Sequence, residues 1–133
     1  MRNSIFITKV RGRYPPGFQK IENMHLFPAL KVLYLEGNGL RKIEGLDKNQ
    51  ALSCLYLQEN CLHKIEGLEG LANLNNLNLS DNFIERVEGL GECKKLGTLQ
   101  LKNNRIGAGG VDDVIRLLEC PSITVLDLSN NRI

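Results

Sequence analysis

The side chains that could do acid–base, nucleophilic or metal chemistry are few in this chain. Among its 133 residues there are two histidines, His25 and His63, and four cysteines. Neither histidine lies near a recognisable nucleophile motif, and no GxSxG sequence occurs. We therefore predict no catalytic residue, and we expect that the chain is not an enzyme.

The cysteines do not have the spacing of a zinc site, because no CxxC pair occurs. Since the apolar run at the N-terminus is too short for a secretory signal, the expected location is the cytoplasm, where thiols stay reduced. Cys93 and Cys120 each precede a strand-opening residue by three positions, where Phe27 and Leu71 stand in other repeats. We predict that both are buried thiols, and a disulfide between them is the alternative. No metal and no cofactor is expected.

Gly107–Gly110 is the segment that most resembles a phosphate loop. It lacks the Lys-Ser/Thr ending of a P-loop and does not match GxGxxG, so we interpret it as a flexible entry to a helix. Apolar residues then recur with helical spacing at Val111, Val114, Ile115 and Leu118. Asp112 and Asp113 suit a first helical turn, and Pro121 suits a stop. This pattern predicts a true α-helix near 111–119.

The charge balance argues against two classes of partner. Seventeen basic residues oppose fifteen acidic ones, which gives a net charge of +2, and the basic residues form no long run. Nucleic acid is therefore not an expected partner. No apolar segment is long enough to cross a membrane, so no membrane association is expected either.

The elements that position all these side chains come from an internal repeat. The pattern LxxLxLxxNxL occurs five times, and each copy carries one asparagine: Asn38, Asn60, Asn82, Asn104 and Asn131. A carboxamide has donors and an acceptor, so each asparagine can satisfy backbone groups in the turn that follows a strand. Because a buried unpaired group costs about 1–3 kcal/mol, these residues are predicted to form a structural ladder.

The two halves of each repeat predict different structures. The LxL half alternates apolar and polar residues, as in a half-buried strand, so stacked copies give a parallel β-sheet on the concave face. The other half is too short for a long helix and is expected to return in 3₁₀ turns or short α-helices on the convex face. The predicted fold class is α/β solenoid.

We expect one domain over residues 1–133 with about five to six repeats. Residues 1–29 are predicted to be an N-terminal cap and partial repeat, with a first strand in 5–10, a loop in 11–16, and Phe18, Ile21 and Met24 on apolar positions. Residues 123–133 form a truncated last repeat, which indicates a fragment of a longer protein.

The second half of the repeat carries the resemblance to a known family. The stretches 20–24, 42–46, 64–68 and 86–90 resemble the KIEGL-like part of the 22-residue class of leucine-rich repeats, named after a regulatory subunit of protein phosphatase 1. Residues 17–23, 33–40 and 55–60 are also similar to the N-terminal repeats of the axonemal dynein assembly factor with leucine-rich repeats.

This resemblance implies a right-handed leucine-rich repeat superhelix that works as a protein-binding scaffold. It further implies a cytoplasmic role in assembling or targeting axonemal dynein, and an association with the cilium or flagellum. A regulatory subunit that binds a protein phosphatase 1 catalytic domain is the alternative. The partner is accordingly a dynein assembly component or a phosphatase catalytic subunit, and the chain itself is expected to be monomeric.

The outward strand residues are the predicted partner-binding set on the concave face: Val32, Tyr34, Glu36, Cys54, Tyr56, Gln58, Asn78, Gln100 and Lys102. Tyr34 and Tyr56 make one end aromatic, and interfaces favour tyrosine as an anchor. The alternative is that the two rings only stack and stabilise neighbouring strands. On the convex side a basic column runs beside an acidic one, and we interpret them as a solvated surface rather than as cross-repeat ion pairs. The basic column is Lys20, Lys42, Lys64 and Arg86, and the acidic column is Glu22, Glu44, Glu66 and Glu88.

Overall fold

The computed structural model describes residues 4–6 and 18–133 and contains a single six-stranded parallel sheet. Its strands follow chain order: β1 (Ser4–Phe6), β2 (Val32–Tyr34), β3 (Cys54–Tyr56), β4 (Asn76–Asn78), β5 (Thr98–Gln100) and β6 (Val125–Asp127). Each strand pairs with the next in register, so each repeat is one rung of a solenoid. The predicted α/β solenoid with a parallel sheet and short 3₁₀ helices is confirmed.

The first strand lies at 4–6, so it overlaps only the start of the predicted segment 5–10. Residues 7–10 and the predicted loop 11–16 lie outside the described residues.

The core is a column of leucines that the strand alternation turns inward. In β2 to β5 the middle residue is buried and its two neighbours are half-buried. The middle residues Leu33, Leu55, Leu77 and Leu99 are completely buried. Successive strand residues point to opposite faces, so one LxL motif per rung supplies the core and also leaves a row of outward side chains.

The asparagine that follows each strand joins two rungs. Asn60 Nδ2 lies 3.1 Å from the carbonyl oxygen of Leu35 and 2.9 Å from that of Leu57. Its Oδ1 accepts the backbone N–H of Leu40 at 3.2 Å. Asn82, Asn104 and Asn131 repeat this pattern on later rungs. One carboxamide therefore satisfies backbone groups that the turn leaves unpaired on both rungs.

The residue before each ladder asparagine has a left-handed backbone. This column consists of Gly37, Glu59, Asp81, Asn103 and Asn130, with φ between 54° and 69°. Glycine takes this conformation without strain, and asparagine and aspartate tolerate it. Asn103 Nδ2 also donates to Asp81 Oδ1 at 2.7 Å. Glu59 is therefore the least suited residue in the column.

The glycine of the KIEGL-like stretch lies where two rungs approach closely. Gly67 has φ 72°, and a Cβ atom there would collide with the carbonyl oxygen of Ile43 on the preceding rung. Gly89 faces Ile65 in the same way. The repeated glycine thus has a packing reason besides its backbone conformation.

The predicted α-helix near 111–119 is wrong. The segment forms two 3₁₀ helices, Gly110–Asp113 and Ile115–Glu119, and the backbone N–H groups of Val114, Leu117 and Cys120 each bond the carbonyl three residues earlier. Val114 and Leu117 pack on the core, whereas Val111, Ile115 and Leu118 are exposed. Core residues spaced by three suit the 3.0 residues per turn of a 3₁₀ helix.

The N-terminal partial repeat keeps the register and buries two of its three apolar positions. Ile21 and Met24 are buried, and Met24–Leu26 forms a short 3₁₀ helix. Phe18 is 56% exposed, although its backbone N–H donates to Asn38 Oδ1 at 3.0 Å in the manner of the later rungs. Phe18 therefore keeps its position in the repeat, but its side chain is not part of the buried core.

Candidate protein-binding surface

The parallel register brings the predicted partner-binding residues together as columns on one face. Tyr34 pairs with Tyr56, Tyr56 with Asn78, and Asn78 with Gln100. A second column beside it contains Val32, Cys54, Asn76, Thr98 and Val125. The predicted set is half-buried except for Lys102, which is exposed. These side chains thus line a surface that is partly open and held by rigid strands.

Tyr34 and Tyr56 form a stacked pair at the aromatic end of this surface. Their ring centroids are 4.7 Å apart and their planes differ by 12°. This separation matches the spacing of adjacent strands, so the stack follows directly from the register. Burial raises the pKa of the Tyr56 phenol, and Cys54 and Tyr34 raise it further. Stacking therefore takes place, and it leaves both rings partly accessible.

Three acceptor oxygens beside the tyrosines have no hydrogen-bond partner within the described chain. They are Glu36 Oε2, Gln58 Oε1 and Asn76 Oδ1, and each of these atoms is shielded from solvent. Gln58 follows Tyr56 by two residues, and Asn76 lies on the next rung. Since buried polar atoms in native proteins nearly always have a partner, this is a local deficit of donors.

On β4 and β6, two outward side chains bond the backbone of their own rung. Asn78 Oδ1 accepts the backbone N–H of Ser80 at 3.0 Å, and Asp127 Oδ1 accepts that of Ser129 at 2.9 Å. The hydroxyl and the backbone N–H of Ser129 lower the pKa of the Asp127 carboxyl. Of the four buried oxygens without a partner among the described residues, three thus lie on β4 or follow β2 and β3, and the fourth, Asn49 Oδ1, lies on the convex side.

The cysteines predicted to be buried are buried and free, without a disulfide. Cys93 Sγ lies 3.8 Å from the Leu68 carbonyl oxygen, and Cys120 Sγ lies 3.9 Å from that of Leu90. Burial, followed by the neighbouring Cys120, raises the pKa of Cys93 to about 11. Both thiols therefore serve the packing of the convex side.

The same convex column contains a residue that the sequence reasoning missed. Asn49 is completely buried and donates to the carbonyl oxygens of Met24 and Phe27 at 2.8 and 3.0 Å. Its position three residues before Leu52, equivalent to that of Cys93, was the available signal. Phe27, in the same column, is 44% exposed.

Gly107–Gly110 holds a carboxylate of the chain itself. Asp113 is buried, and its Oδ2 accepts the N–H groups of Gly107 and Gly109 at 3.2 and 2.6 Å. Asp113 Oδ1 lies 3.8 Å from Arg86 Nη2. The amide groups that could have met a phosphate are thus occupied by this side chain.

The remaining chemically capable residues lie apart from the tyrosines. His63 stacks on Phe83 with centroids 5.3 Å apart, and Arg105 lies 4.6 Å over the Phe83 ring. His25 is exposed. Within residues 4–6 and 18–133 there is no group of three side chains placed to hold a metal ion.

The convex charges form few contacts with one another. In the part of the chain that the structure describes, the basic and acidic columns contribute one ion pair, Lys20–Glu22 at 3.7 Å, and it lies within a single repeat. Both side chains are more than half exposed, so this pair adds little to stability.

None of the helices in the described residues has the length and apolar character needed to cross a membrane.

Solved structures with the same architecture include leucine-rich repeat proteins of bacteria. The functional domain of InlJ from Listeria monocytogenes, which includes a cysteine ladder, matches with a TM-score of 0.66 and 16% identity over 83% of this chain and 22% of its own. A leucine-rich repeat protein of Leptospira interrogans matches with a TM-score of 0.67 and 23% identity over 81% of this chain and 28% of its own.

An internalin of Listeria monocytogenes, inlF, matches with a TM-score of 0.55 and 19% identity over 81% of this chain and 37% of its own. The chain therefore has the leucine-rich repeat fold and spans well under half of each of these structures. No family profile matches the sequence, and no curated protein matches it either.

Proposed function

We propose that this chain is a non-enzymatic scaffold that binds a partner protein on the concave face, over Tyr34 and Tyr56. The supporting observation is the stacked, partly accessible tyrosine pair on the concave face. Tyrosine gives large contact area at small entropic cost, and it is enriched where interfaces concentrate their energy.

The rigidity of the sheet supports the same proposal. The flanking ladder asparagines bond two rungs each, so the outward side chains are held in place before a partner arrives. A preorganised surface loses less conformational entropy on binding. Val32 and Cys54, half-buried beside the rings, supply an apolar border.

The non-enzymatic part of the proposal is supported by the positions of the reactive side chains. The Cys93 thiol has a raised pKa, Asp113 bonds backbone amides, and His63 stacks on Phe83. Each of these groups has a structural contact within the described chain.

For the biological role we propose cytoplasmic assembly or targeting of axonemal dynein in ciliated or flagellated cells. The support is the resemblance of residues 17–23, 33–40 and 55–60 to the repeats of the dynein assembly factor. Binding of a protein phosphatase 1 catalytic domain is the second candidate, favoured by the KIEGL-like stretches at 42–46 and 64–68. Both roles would use the same face.

The test is affinity purification of the tagged protein from ciliated cells, followed by mass spectrometry. We expect dynein chains or their assembly chaperones, and we expect about a tenfold loss in the double variant Tyr34→Ala/Tyr56→Ala. The matched control is His63→Ala/Phe83→Ala, which removes a stacked ring pair from another surface.

Circular dichroism and thermal unfolding establish that both double variants are folded. Unchanged capture by a folded Tyr34→Ala/Tyr56→Ala protein would rule out the concave surface as the binding site. Recovery of phosphatase catalytic subunits without dynein components would replace the first role by the second.

A further inference from the structure

We propose that Asn38 is the site of a spontaneous covalent modification, deamidation to aspartate and isoaspartate, which loosens the first rung of the stack. The proposal does not depend on the identity of a partner or on where it binds. Two features coincide at Asn38 and at no other ladder asparagine. The residue after it is glycine, and the residue that holds it on the preceding rung, Phe18, is exposed.

Asn38 and Gly39 form the only asparagine–glycine pair in the chain. Because glycine has no Cβ atom and the greatest backbone freedom, its amide nitrogen can approach the side chain that precedes it. The fold does not require glycine here, since its φ is not positive and a Cβ atom would lie in ordinary contact, 3.5 Å from Gln19 Cγ. The other ladder asparagines are followed by larger residues, Cys61, Phe83, Arg105 and Arg132.

One residue of the preceding rung holds both reacting groups of each ladder asparagine, and we call it the clamp residue. The first clamp residue is Phe18, whose N–H donates to Asn38 Oδ1 at 3.0 Å and whose carbonyl oxygen accepts the Gly39 N–H at 3.0 Å. While both bonds persist, the Gly39 nitrogen cannot attack the carboxamide. The later clamp residues form the same two bonds and are Leu40, Leu62, Ile84 and Ile106.

Phe18 differs from the later clamp residues in its burial. It is 56% exposed, whereas Leu40, Leu62, Ile84 and Ile106 are completely buried. Its carbonyl oxygen lies 3.0 Å from the Gly39 nitrogen, and the equivalent distances on later rungs are 2.7 to 2.8 Å. Segments with few buried apolar contacts open at a lower free energy than the core. Release of Phe18 therefore frees both reacting groups of the Asn38–Gly39 pair without opening the rest of the stack.

After this release the reaction needs water and no other co-reactant. The Gly39 nitrogen loses its proton to base and attacks Cγ of Asn38. The new C–N bond closes a succinimide ring, while the Cγ–Nδ2 bond breaks and Nδ2 leaves as ammonia. Water then opens the ring. Cleavage at Cγ gives aspartate, and cleavage between the Asn38 carbonyl carbon and the Gly39 nitrogen gives isoaspartate.

The products do not fit the closed rung. Asn38 is buried, and its Nδ2 donates to the carbonyl oxygens of Leu35 and Glu36 at 2.9 and 3.3 Å. A carboxylate only accepts hydrogen bonds, so it repels both oxygens and places a charge where burial disfavours it. Isoaspartate also adds a methylene group to the backbone. The reaction therefore converts a transient opening of the first rung into a permanent one.

The experiment incubates three folded proteins in neutral buffer and follows every ladder asparagine by proteolysis and mass spectrometry, with enzymatic methylation to count isoaspartate. They are the unmodified chain, Gly39→Ala and Cys61→Gly. The last variant places glycine after Asn60, whose clamp residue Leu40 is buried, and leucine is the next residue in both sequences.

We expect conversion at Asn38 in the unmodified chain and a rate about fivefold lower in Gly39→Ala. In folded Cys61→Gly, Asn60 should react at least about tenfold more slowly than Asn38, because its clamp residue opens with the core. In urea the two sites should react equally. If Asn38 converts in urea but not in the folded chain, or if both sites of folded Cys61→Gly react equally, the proposal is overturned.

Hydrogen exchange tests the opening without the chemistry. In the unmodified chain the Gly39 N–H should exchange at least about tenfold faster than the Cys61 N–H, after correction for the intrinsic rates. Asn38→Asp, which supplies one product directly, should speed exchange at Gly39 further and leave the Arg105 N–H unchanged. Equal protection of Gly39 and Cys61, or no effect of Asn38→Asp on Gly39, would contradict the loosening of the first rung.

Discussion

The side chain of Asn60 donates a hydrogen bond to the carbonyl oxygen of Leu35, 25 residues earlier in the chain, across a distance of 3.1 Å. The same carboxamide accepts the N–H of Leu40. The stack is thus held by polar bonds between rungs as well as by leucine packing. Removing one ladder residue is expected to weaken the contact between two repeats and not only the local turn.

Asn60→Ala should lower the free energy of unfolding by about 1–3 kcal/mol, because the buried N–H of Leu40 loses its acceptor. The measurement is urea denaturation followed by circular dichroism. Asn73→Ala is the matched control, since the side chain of Asn73 forms only exposed contacts. Equal effects of the two substitutions would contradict the role of the ladder.

Glu59→Gly should raise the free energy of unfolding by about 1 kcal/mol. Glu59 has φ 58°, and a non-glycine residue in this region is strained by roughly 1–2 kcal/mol. The greater freedom of glycine in the unfolded chain offsets part of this gain. The control Glu69→Gly changes an exposed glutamate whose φ is not in that region, and it should not stabilise. A destabilised Glu59→Gly protein would show that the glutamate is not strained.

Gly67→Ala should destabilise the protein far more than Gly70→Ala. Both glycines have positive φ, at 72° and 82°, so both substitutions add backbone strain of about 1 kcal/mol. At Gly67 the new methyl group also collides with the Ile43 carbonyl, whereas at Gly70 there is open space. We expect a difference of about 1–3 kcal/mol between the two variants in thermal or urea unfolding. Equal losses would mean that the close approach of rungs does not limit this position.

Cys93 should contribute to a loss of stability in alkaline solution. Its pKa is about 11 in the folded chain and lies near the usual thiol value when unfolded, so the folded state holds the proton more tightly. The contribution is present below the unfolded pKa and is lost as the pH rises towards about 11. Urea midpoints measured from about pH 8 to pH 11 should therefore fall less steeply for Cys93→Ala than for the unmodified protein.

A matched control for the pH series is Cys61→Ala, which changes a cysteine that is only half-buried. Its alkaline profile should follow that of the unmodified protein. If Cys93→Ala also follows that profile, then the thiol of Cys93 ionises with the same pKa in both states.

Much of the fold was predictable because the same pattern of apolar strand residues followed by an asparagine occurs five times in the sequence. The strand positions of Leu33 and Leu55 follow from alternation, and the joining of rungs by Asn60 follows from the need of a buried turn for both donors and an acceptor. The exception was Val111 to Leu118, where a spacing of i, i+3, i+4 and i+7 indicated an α-helix. In the structure the carboxylate of Asp113 is buried, Val114 and Leu117 contact the core, and the segment forms 3₁₀ turns. The spacing of apolar residues along the chain contains no information about such contacts.

The candidate surface was predictable in part for the same reason. The sequence placed Tyr34 and Tyr56 in one column, but their face-to-face geometry depends on the distance between strands. The missing donors at Glu36 and Gln58 depend on which atoms neighbouring rungs turn towards each other. Asn49 was missed because its side chain is polar, whereas phenylalanine, leucine and cysteine stand at the equivalent positions of other repeats.

By itself, the sequence determined the solenoid, the register of its rungs and the residues on each face, because a periodic pattern of burial admits one way of stacking. The tertiary structure alone decided the helix type at 110–119, the occupation of the glycine loop by Asp113, and the donor deficit beside Tyr56. These depend on distances of a few ångströms between atoms on different rungs, and residue spacing along a chain does not specify such distances.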